Sequence, residues 1–215
     1  MKKVKSIPLI IKHGRSFLLV KEIFRRLYSN EFHYGLRRDV NVKMEIQRPE
    51  IPIQLRLILK DDITILLNLS ERGISSQEFR ERLYRIFLVQ ADFSKCYVAI
   101  TSEGIPCHMH LLIKSDENEK IQSVFKGGFP ILKPDEILFE GVYTKPEYRQ
   151  HRLMQYVIEL IIKENKEPES RWAIGFVKQS NIYSLRAMQK VGFLPYCVKG
   201  VHWRFFKRRI TYKML

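Results

Sequence analysis

The 215-residue sequence has few cysteines and no long apolar run. Its three cysteines, Cys96, Cys107 and Cys197, are an odd number without a Cys-x-x-Cys pair, which argues against a disulfide framework or a zinc ribbon. No apolar segment approaches the roughly 20 residues that span a bilayer, and the N-terminus lacks the apolar core and small-residue cleavage site of a signal peptide. We therefore expect a soluble protein in the reducing cytoplasm.

The sequence also lacks internal repeats, low-complexity tracts and any recognisable nucleic-acid-binding motif such as a zinc finger or an RRM. Hydrophobic residues make up 45% of the chain and aromatic residues 12%, which is enough for a buried core. The length fits one domain with an extension. We predict a basic N-terminal extension over residues 1–48 and a single domain over residues 49–215.

Positive charge is concentrated at the two ends of the chain. The net charge is +15, and residues 1–48 together with residues 201–215 carry +13 of it. The N-terminal excess surrounds a predicted amphipathic helix, Ser16 to Tyr28. Its apolar stripe consists of Phe17, Val20, Phe24 and Leu27, its flanking cations are Lys21, Arg25 and Arg26, and the basic and aromatic residues Tyr34, Arg37 and Arg38 follow it.

Three hypotheses fit this basic helix. The stripe packs on the domain while the charges are solvated, or the helix lies on an anionic membrane surface as a peripheral contact, or the interleaved aromatics and arginines bind nucleic acid. Packing is the commonest outcome for such a helix, and nucleic acid is the least favoured partner because no binding motif accompanies the charge.

A strand, a turn and a helix are predicted between residues 136 and 161. Glu136 to Thr144 is rich in β-branched and aromatic residues, and its internal glycine suggests a bulge or a close backbone approach. From Leu153 onward the apolar residues recur with helical spacing. The turn between them points unpaired backbone N–H groups outward at a helix N-terminus, which is suited to an anion such as a pyrophosphate.

A second set of elements follows in the last quarter of the chain. Trp172 to Val177 is predicted as a strand, and a short helix is predicted from about Ser184 to Lys190. Gly192 is placed as the glycine that ends this helix, before a strand from Phe193 to Val198.

Together the two segments resemble the acetyl-CoA signatures of the GNAT superfamily of N-acetyltransferases. The matching residues are Pro146-Glu147-Tyr148-Arg149-Gln150-His151-Arg152-Leu153-Met154 in the first segment, and Asn181-Ile182-Tyr183-Ser184 with Lys190-Val191-Gly192-Phe193 in the second. The resemblance covers residues 50–215 and is specific from about 136 to 193. It implies an α/β (α+β) fold with a mixed, mostly antiparallel sheet of about six to seven strands flanked by helices, preceded here by a helical N-terminal extension.

The remaining predicted elements fit this order. Before the signatures come a strand, two helices and a hairpin: Ile51 to Leu57, Asp61 to Leu69, Ser75 to Gln90, Lys95 to Thr101 and Cys107 to Ile113. Residues 115–135 are polar and contain glycine, and we expect a loop over the active-site side.

The resemblance implies that residues 148–154, the predicted CoA turn, bind the pyrophosphate of acetyl-CoA. Gln150, Arg152 and Met154 stand where the family usually has glycine, which lets phosphate oxygens approach the main chain. We expect the amides of these residues to bind phosphate only if the turn keeps helical or β-region dihedrals. The other predicted contacts in this turn are Arg149, His151 and Leu153. An ordinary connection between strand and helix is the alternative.

The resemblance also assigns contacts to the pantetheine arm. Asn181, with Ser184 as a helper, holds the arm or orders the start of its helix, and a plain helix cap is the alternative. The main chain of Val142, Tyr143 and Thr144 is expected to pair with the pantetheine amides like one more strand of the sheet.

For catalysis, the resemblance implies a carboxylate on the central strand as general base. Glu140 is favoured and Glu136 competes with it, because even spacing places both on one face if no bulge intervenes. The alternative is that this face is partly wet or that the glutamates pair with basic residues. Met188 stands where many relatives have a tyrosine that protonates the CoA thiolate, and Tyr183 or Tyr143 is the candidate substitute.

His108 and His110 lie on one face of a predicted strand, a spacing that could bind a metal. No third ligand stands at a recognisable distance, so we expect no metal and predict that the histidines line the acceptor pocket or cover the sheet.

These observations predict an enzyme that moves an acetyl group from acetyl-CoA, its cosubstrate, to an amine of a small-molecule acceptor. A general likeness to GNAT proteins of bacterial surface-polysaccharide functions suggests an amino sugar or a polysaccharide precursor as acceptor. Two alternatives stay open: a catalytically silent CoA-binding protein of the same fold, and a basic nucleic-acid-associated protein.

Overall fold

A computed structural model describes residues 6–215, so the part of the predicted extension that spans residues 1–5 lies outside the described residues. The helices are α1 (Ser6–Lys12), α2 (Phe17–Leu27), α3 (Lys60–Leu66), α4 (Ser76–Gln90), α5 (Asn118–Phe125), α6 (Leu153–Asn165) and α7 (Ile182–Lys190). The strands are β1 (Tyr28–Asp39), β2 (Ile53–Leu57), β3 (Lys95–Thr101), β4 (Pro106–Lys114), β5 (Glu136–Thr144), β6 (Trp172–Lys178), β7 (Leu194–Arg204) and β8 (Lys207–Met214). No helix in this described part is long and apolar enough to cross a membrane.

The strands form one mixed sheet in the order β2-β3-β4-β5-β6-β1-β7-β8. All neighbouring strands are antiparallel except β5 and β6, which are parallel, as expected for two strands joined by the crossover helix α6. The predicted fold class is confirmed. The sheet has eight strands among the described residues, one more than the prediction allowed.

The additional strand is β1, which comes from the segment predicted to be a helical extension. It lies between β6 and β7, pairing His33 with Lys178 on one side and Tyr28 with Arg204 on the other. Its Arg38, predicted to be part of a basic surface, is buried, and the guanidinium donates to the Glu159 carboxylate on α6 at 3.0 Å. This buried charge is tolerated because it is paired, which sequence spacing did not reveal.

The loop predicted for residues 115–135 is also wrong in part. It contains a 3-10 turn, Ser115–Glu117, followed by α5. Ile121 is fully buried in the core, and Val124 and Phe125 pack beside it, so three apolar residues with helical spacing fix this short helix against the sheet.

Each face of the sheet carries its own core. On one face, here called the α6 face, residues of α6 and α7 pack over Phe139 and Ile137. On the other, the α4 face, residues near α3, α4 and α5 pack over Leu138 and Tyr143. The alternation of side chains along β5 thus supplies both cores, as period-2 spacing requires.

Strand β5 carries the bulge that its internal glycine predicted. Glu140 pairs with Leu111 and Tyr143 with Met109, so one extra residue of β5 is accommodated at this point. Gly141 has φ +63°, a left-handed conformation that glycine adopts without strain. The parallel pairing of β5 with β6 ends at Phe139 and Gly175, and the two strands continue without pairing to each other. The sheet therefore opens next to Glu140.

Candidate functional site

A cavity of about 430 Å³ lies on the α4 face where β5 and β6 separate. Glu140 projects into it from β5, and its Oε1 accepts hydrogen bonds from the Tyr84 hydroxyl at 3.2 Å and the Gly141 N–H at 2.9 Å. The other lining residues are His33, Phe87, Val124, Phe125, Lys126, Gly128, Phe129, Phe176, Lys199 and Arg208. The cavity thus combines one carboxylate with aromatic walls and several cations.

Lys199 is the most unusual member of this lining. Only 7% of the residue is exposed, and its Nζ lies 4.4 Å from the centroid of Phe129 and 5.2 Å from that of Phe176. Burial lowers its pKa to about 8. The charge of Glu140 opposes this shift, and an amine with this pKa stays mostly charged at pH 7.

Two further titratable groups face the same space. Burial, followed by the charge of Lys199, lowers the pKa of His33 to about 4, so this imidazole is neutral near pH 7. Burial, followed by the Glu140 carboxylate, raises the pKa of Tyr84 well above its ordinary value. Perturbed groups gathered in one cavity are typical of functional sites. The sequence analysis identified Glu140 but not His33, Tyr84 or Lys199, because these lie on β1, α4 and β7, far from Glu140 along the chain.

The second candidate base, Glu136, lies outside this cavity. It stands at the start of β5, paired with Trp172, and its carboxylate accepts the Lys133 N–H at 2.9 Å. The structure therefore brings Glu140, and not Glu136, to the cavity where the strands separate.

The predicted CoA turn has an unusual backbone. Gln150 has φ +73° and Arg152 has φ +61°, so two non-glycine residues adopt the left-handed conformation. The condition set in the sequence analysis, helical or β-region dihedrals, is therefore not met at these two residues, which instead keep the left-handed geometry that glycine adopts without strain. Such a conformation costs roughly 1–2 kcal/mol for each L-residue, and strain of this kind concentrates at functional sites.

Within residues 6–215, the N–H groups of residues 150–154 donate to no backbone or side-chain acceptor. Leu153 is buried in the α6-face core and Met154 packs against it, which anchors the helix start. The core thus anchors the turn through Leu153 and Met154, while the backbone amides of the turn keep their donor capacity, as an anion site requires.

Acidic residues already bind the basic side chains of the turn. Arg149 donates to the Thr144 carbonyl at 3.0 Å and to the Glu78 carboxylate at 2.8 Å, so its guanidinium ties the turn to β5 and α4. His151 Nδ1 lies 3.0 Å from Glu50 Oε2, and an Arg152 guanidinium nitrogen lies 3.8 Å from Glu50 Oε1. A bound phosphate would therefore meet the Glu50 carboxylate near these two side chains.

Substitutions at Gln150 test the turn geometry. We expect Gln150→Gly to keep CoA affinity and to change the free energy of unfolding by less than about 1 kcal/mol, since glycine adopts φ +73° without strain. We expect Gln150→Val to lower stability by about 1–2 kcal/mol and to weaken CoA binding at least about tenfold, because a β-branched residue resists this conformation. Calorimetric titration and thermal unfolding measure both, and equal CoA affinity in the two variants would contradict the importance of the turn.

Arginine side chains already bind two of the main-chain carbonyls of β5 that were predicted to contact pantetheine. The Val142 carbonyl accepts from the Arg85 guanidinium at 2.8 Å, and the Thr144 carbonyl accepts from Arg149. The Tyr143 side chain is buried on the α4 face, where its hydroxyl donates to Glu78. Burial, followed by this hydrogen bond, raises the pKa of Tyr143, and its proton is held inside the domain. Main-chain pairing of these residues with pantetheine stays a prediction.

The residues of the second signature lie at the start of α7. Asn181 Oδ1 accepts the Ser184 N–H at 3.1 Å, which is a helix N-cap, so the cap that sequence analysis gave as the alternative is present. Tyr183 is 86% exposed, whereas Met188 is buried in the α6-face core. Gly192 has φ +81° after α7, as predicted for the glycine that ends this helix.

His108 and His110 are fully buried and lie on the face of the sheet opposite the cavity. The His110 ring packs 4.9 Å from Phe139, and His108 Nδ1 lies 2.7 Å from the Thr144 hydroxyl. Burial lowers the pKa of His108 to about 3 and lowers that of His110 as well. The histidines do not line the cavity, and residues 6–215 contain no group of three or more His, Cys, Asp or Glu that could hold a metal.

Comparison with known proteins places the fold. No protein-family model matches the sequence, and no curated protein matches it. Among solved structures, the chain is similar to the GCN5-related glucosamine N-acetyltransferase region of a fungal multi-domain GH3 β-N-acetylglucosaminidase. The TM-score is 0.54 at 12% identity, over 89% of this chain and 22% of that one.

Two other solved structures show comparable similarity. A conserved protein from Staphylococcus epidermidis has a TM-score of 0.52 at 11% identity, over 86% of this chain and 65% of that one. A Drosophila protein has a TM-score of 0.51 at 14% identity, over 89% and 58%. The chain therefore has the GNAT fold, and it spans less than two thirds of the length of each of these three proteins.

Proposed function

We propose that this protein is an N-acetyltransferase that transfers the acetyl group of acetyl-CoA to an amine bound in the cavity beside Glu140. The observation that carries the proposal is the backbone of the predicted CoA turn. Gln150 and Arg152 hold left-handed dihedrals at the positions where relatives have glycine, and the N–H groups that follow are free. A connection that only joined a strand to a helix would not require strained left-handed dihedrals at two non-glycine residues.

The turn and the cavity are supplied by the same strand. Glu140 is the middle residue of β5, and the predicted CoA turn begins four residues after Thr144, where β5 ends. Acetyl-CoA would supply the activated acyl group, with its diphosphate on the amides of residues 150–154 and its arm along β5 where β6 has separated. The reacting thioester is then placed near the mouth of the cavity.

Glu140 is the proposed general base. An amine must lose a proton as it attacks a thioester, and a carboxylate within hydrogen-bond reach, directly or through water, can accept that proton. The Tyr84 hydroxyl and Gly141 N–H hold one carboxylate oxygen, which leaves the other without a protein donor among the described residues. The Glu140 side chain is therefore oriented and has acceptor capacity for an incoming ammonium or water.

The cavity favours a small acceptor that carries an anionic group in addition to its amine. Its volume of about 430 Å³ suits a small molecule. Lys199, Lys126 and Arg208 would complement a carboxylate or phosphate, and the aromatic walls would cover the apolar face of a ring. An amino-sugar phosphate fits this description, and one structural neighbour contains a glucosamine N-acetyltransferase region.

Two measurements on the full chain test the proposal. Calorimetric titration should detect binding of both CoA and acetyl-CoA, and a panel of amino sugars, amino-sugar phosphates and amino acids should reveal amine-dependent release of CoA thiol. Failure to bind either form of CoA at millimolar concentration would refute the proposal. Binding of CoA without amine-dependent release of CoA thiol would favour the catalytically silent alternative. That alternative is also supported by Met188, which cannot donate a proton, and by the Tyr143 hydroxyl, which already donates to Glu78.

A further inference from the structure

The apolar stripe of α2 is exposed to solvent. Phe17, Val20 and Phe24 repeat with helical spacing and are all exposed, Phe24 to 66%, whereas Leu18 is the buried residue of this helix. The hypothesis that the stripe packs on the domain is therefore wrong for these three residues. A helix with an unpartnered apolar face and flanking cations is typical of surfaces that lie in the plane of a membrane.

The β7–β8 hairpin exposes two more aromatic residues at its tip. Arg204 pairs with Lys207, and the two residues between them are Phe205, which is 80% exposed, and Phe206, which is 54% exposed. Their φ angles are +46° and +66°. A two-residue turn with both φ angles positive favours Asn-Gly, so turn formation does not explain the two phenylalanines.

The hairpin tip and α2 form one continuous surface, here called the aromatic edge (α2, Tyr28 and residues 204–209). The Phe205 N–H donates to the Leu27 carbonyl at 2.9 Å, and the Phe206 N–H donates to the Arg26 carbonyl at 2.8 Å. The Arg204 guanidinium lies 3.9 Å from the centroid of the exposed Tyr28 ring. The tip is thus fixed against the end of the helix.

Cations surround the aromatic edge. Its basic residues are Lys21, Arg25, Arg26, Arg204, Lys207, Arg208 and Arg209. The carboxylate of Glu22 on α2 is shared between Arg25 and Arg26. A depression of about 560 Å³ beside the tip is lined by His202, Arg204, Lys207, Arg208, Arg209 and Thr211. Arg204 and Arg208 already donate to protein oxygens, whereas Lys207 and Arg209 donate to no acceptor among the described residues and are suited to a phosphate-bearing headgroup.

We propose that the aromatic edge docks the protein on an anionic lipid membrane. Exposed phenylalanines would enter the boundary between headgroups and acyl chains while the surrounding lysines and arginines contact anionic headgroups. A second copy of this chain is a poor occupant, since two such cationic surfaces repel each other. The cations of the aromatic edge could bind the phosphates of a nucleic acid, and its aromatic rings could stack on bases. Nucleic-acid binding does not explain why the aliphatic Val20 and Ile23 are exposed on the same helix.

The double substitution F205N/F206G tests the proposal without endangering the fold. Asparagine and glycine suit the turn, so the melting temperature should stay equal or rise. Co-sedimentation with vesicles of phosphatidylcholine containing about 30% phosphatidylglycerol should show wild-type binding and at least about a tenfold lower partition coefficient for the variant. Vesicles of phosphatidylcholine alone should bind the wild-type protein much more weakly.

Two further variants separate the contributions. K207E/R209E should lower vesicle binding about tenfold or more and flatten its salt dependence, because each interfacial cation contributes to binding of an anionic surface. Leu57→Ser changes an exposed apolar residue on β2, at the edge of the sheet opposite β8, and should leave vesicle binding unchanged. Equal binding by F205N/F206G and wild type would overturn the proposal. So would absent vesicle binding, whether accompanied by a dimer in light scattering or by tight RNA binding.

Discussion

Glu140→Gln is expected to lower the rate of acetyl transfer about 10²–10⁴-fold while leaving acetyl-CoA affinity unchanged. Glutamine keeps the size of the side chain and can still accept the Tyr84 and Gly141 hydrogen bonds, but it cannot take a proton from the attacking amine. The measurement is the initial rate of CoA-thiol release, with the amine that gives the highest rate in the panel. Acetyl-CoA affinity is followed in parallel by calorimetric titration.

Glu136→Gln is the matched control for this experiment. The same chemical change is made on the same strand, but at the paired end, where the carboxylate accepts the Lys133 N–H and lies outside the cavity. Its rate should stay within about threefold of wild type, a difference of less than 1 kcal/mol in barrier height. A full rate in Glu140→Gln, or an equal loss in both variants, would exclude Glu140 as the base.

Arg82→Met is expected to lower the free energy of unfolding by about 3–5 kcal/mol. Arg82 is completely buried on α4, and its guanidinium donates to Glu71, to Glu78, to the Tyr143 hydroxyl and to the Asn68 carbonyl. Burial alone would lower the pKa of Arg82, but the hydrogen bond with Glu71 and its other partners raise it. Methionine fills similar space and leaves these partners without their donor.

Arg80→Met, an exposed position on the same helix, should change stability by less than about 0.5 kcal/mol. Chemical denaturation at pH 7 compares the two variants. Similar losses in both would show that helix propensity, and not the buried network, is responsible.

Acid conditions test the same network from its carboxylate side. Burial opposes the charge of Glu78, but hydrogen bonds from Tyr143 and Arg149 outweigh it and lower its pKa below the ordinary 4.5. The stabilisation from Glu78 is therefore complete above about pH 4.5 and is lost as the pH falls through the lower folded-state value. Wild-type protein should accordingly lose stability below pH 4.5.

Sequence patterns predicted the local elements of the second half of the chain well. The strand over Glu136 to Thr144 and the start of α6 at Leu153 are confirmed, because alternation and helical spacing are encoded within the segments themselves. Gly141 and Gly192 also predicted local backbone conformation correctly, since both have positive φ. These features need no knowledge of distant residues.

Features that depend on distant residues were missed. His33 and Lys199 line the same cavity as Glu140 because β1 and β7 follow β6 in the order of the sheet. This order could not be predicted from the sequence, because the strands are far apart along the chain. Arg38 was counted as surface charge because its partner Glu159 is far along the chain. The left-handed dihedrals at Gln150 and Arg152 were missed because side-chain type argues against them, and only tertiary packing can impose them.

The central place of β1 has a consequence for biosynthesis. This strand leaves the ribosome early, but its two neighbours, β6 and β7, begin at Trp172 and Leu194 and are made more than 130 residues later. Until then both edges of β1 lack their partners, and unpaired edges promote wrong association between nascent chains. Pairings that join residues so far apart also slow folding, because a long loop must close before they form. Refolding from denaturant is therefore expected to be slow and sensitive to protein concentration, and chaperones that shield β1 should improve the yield.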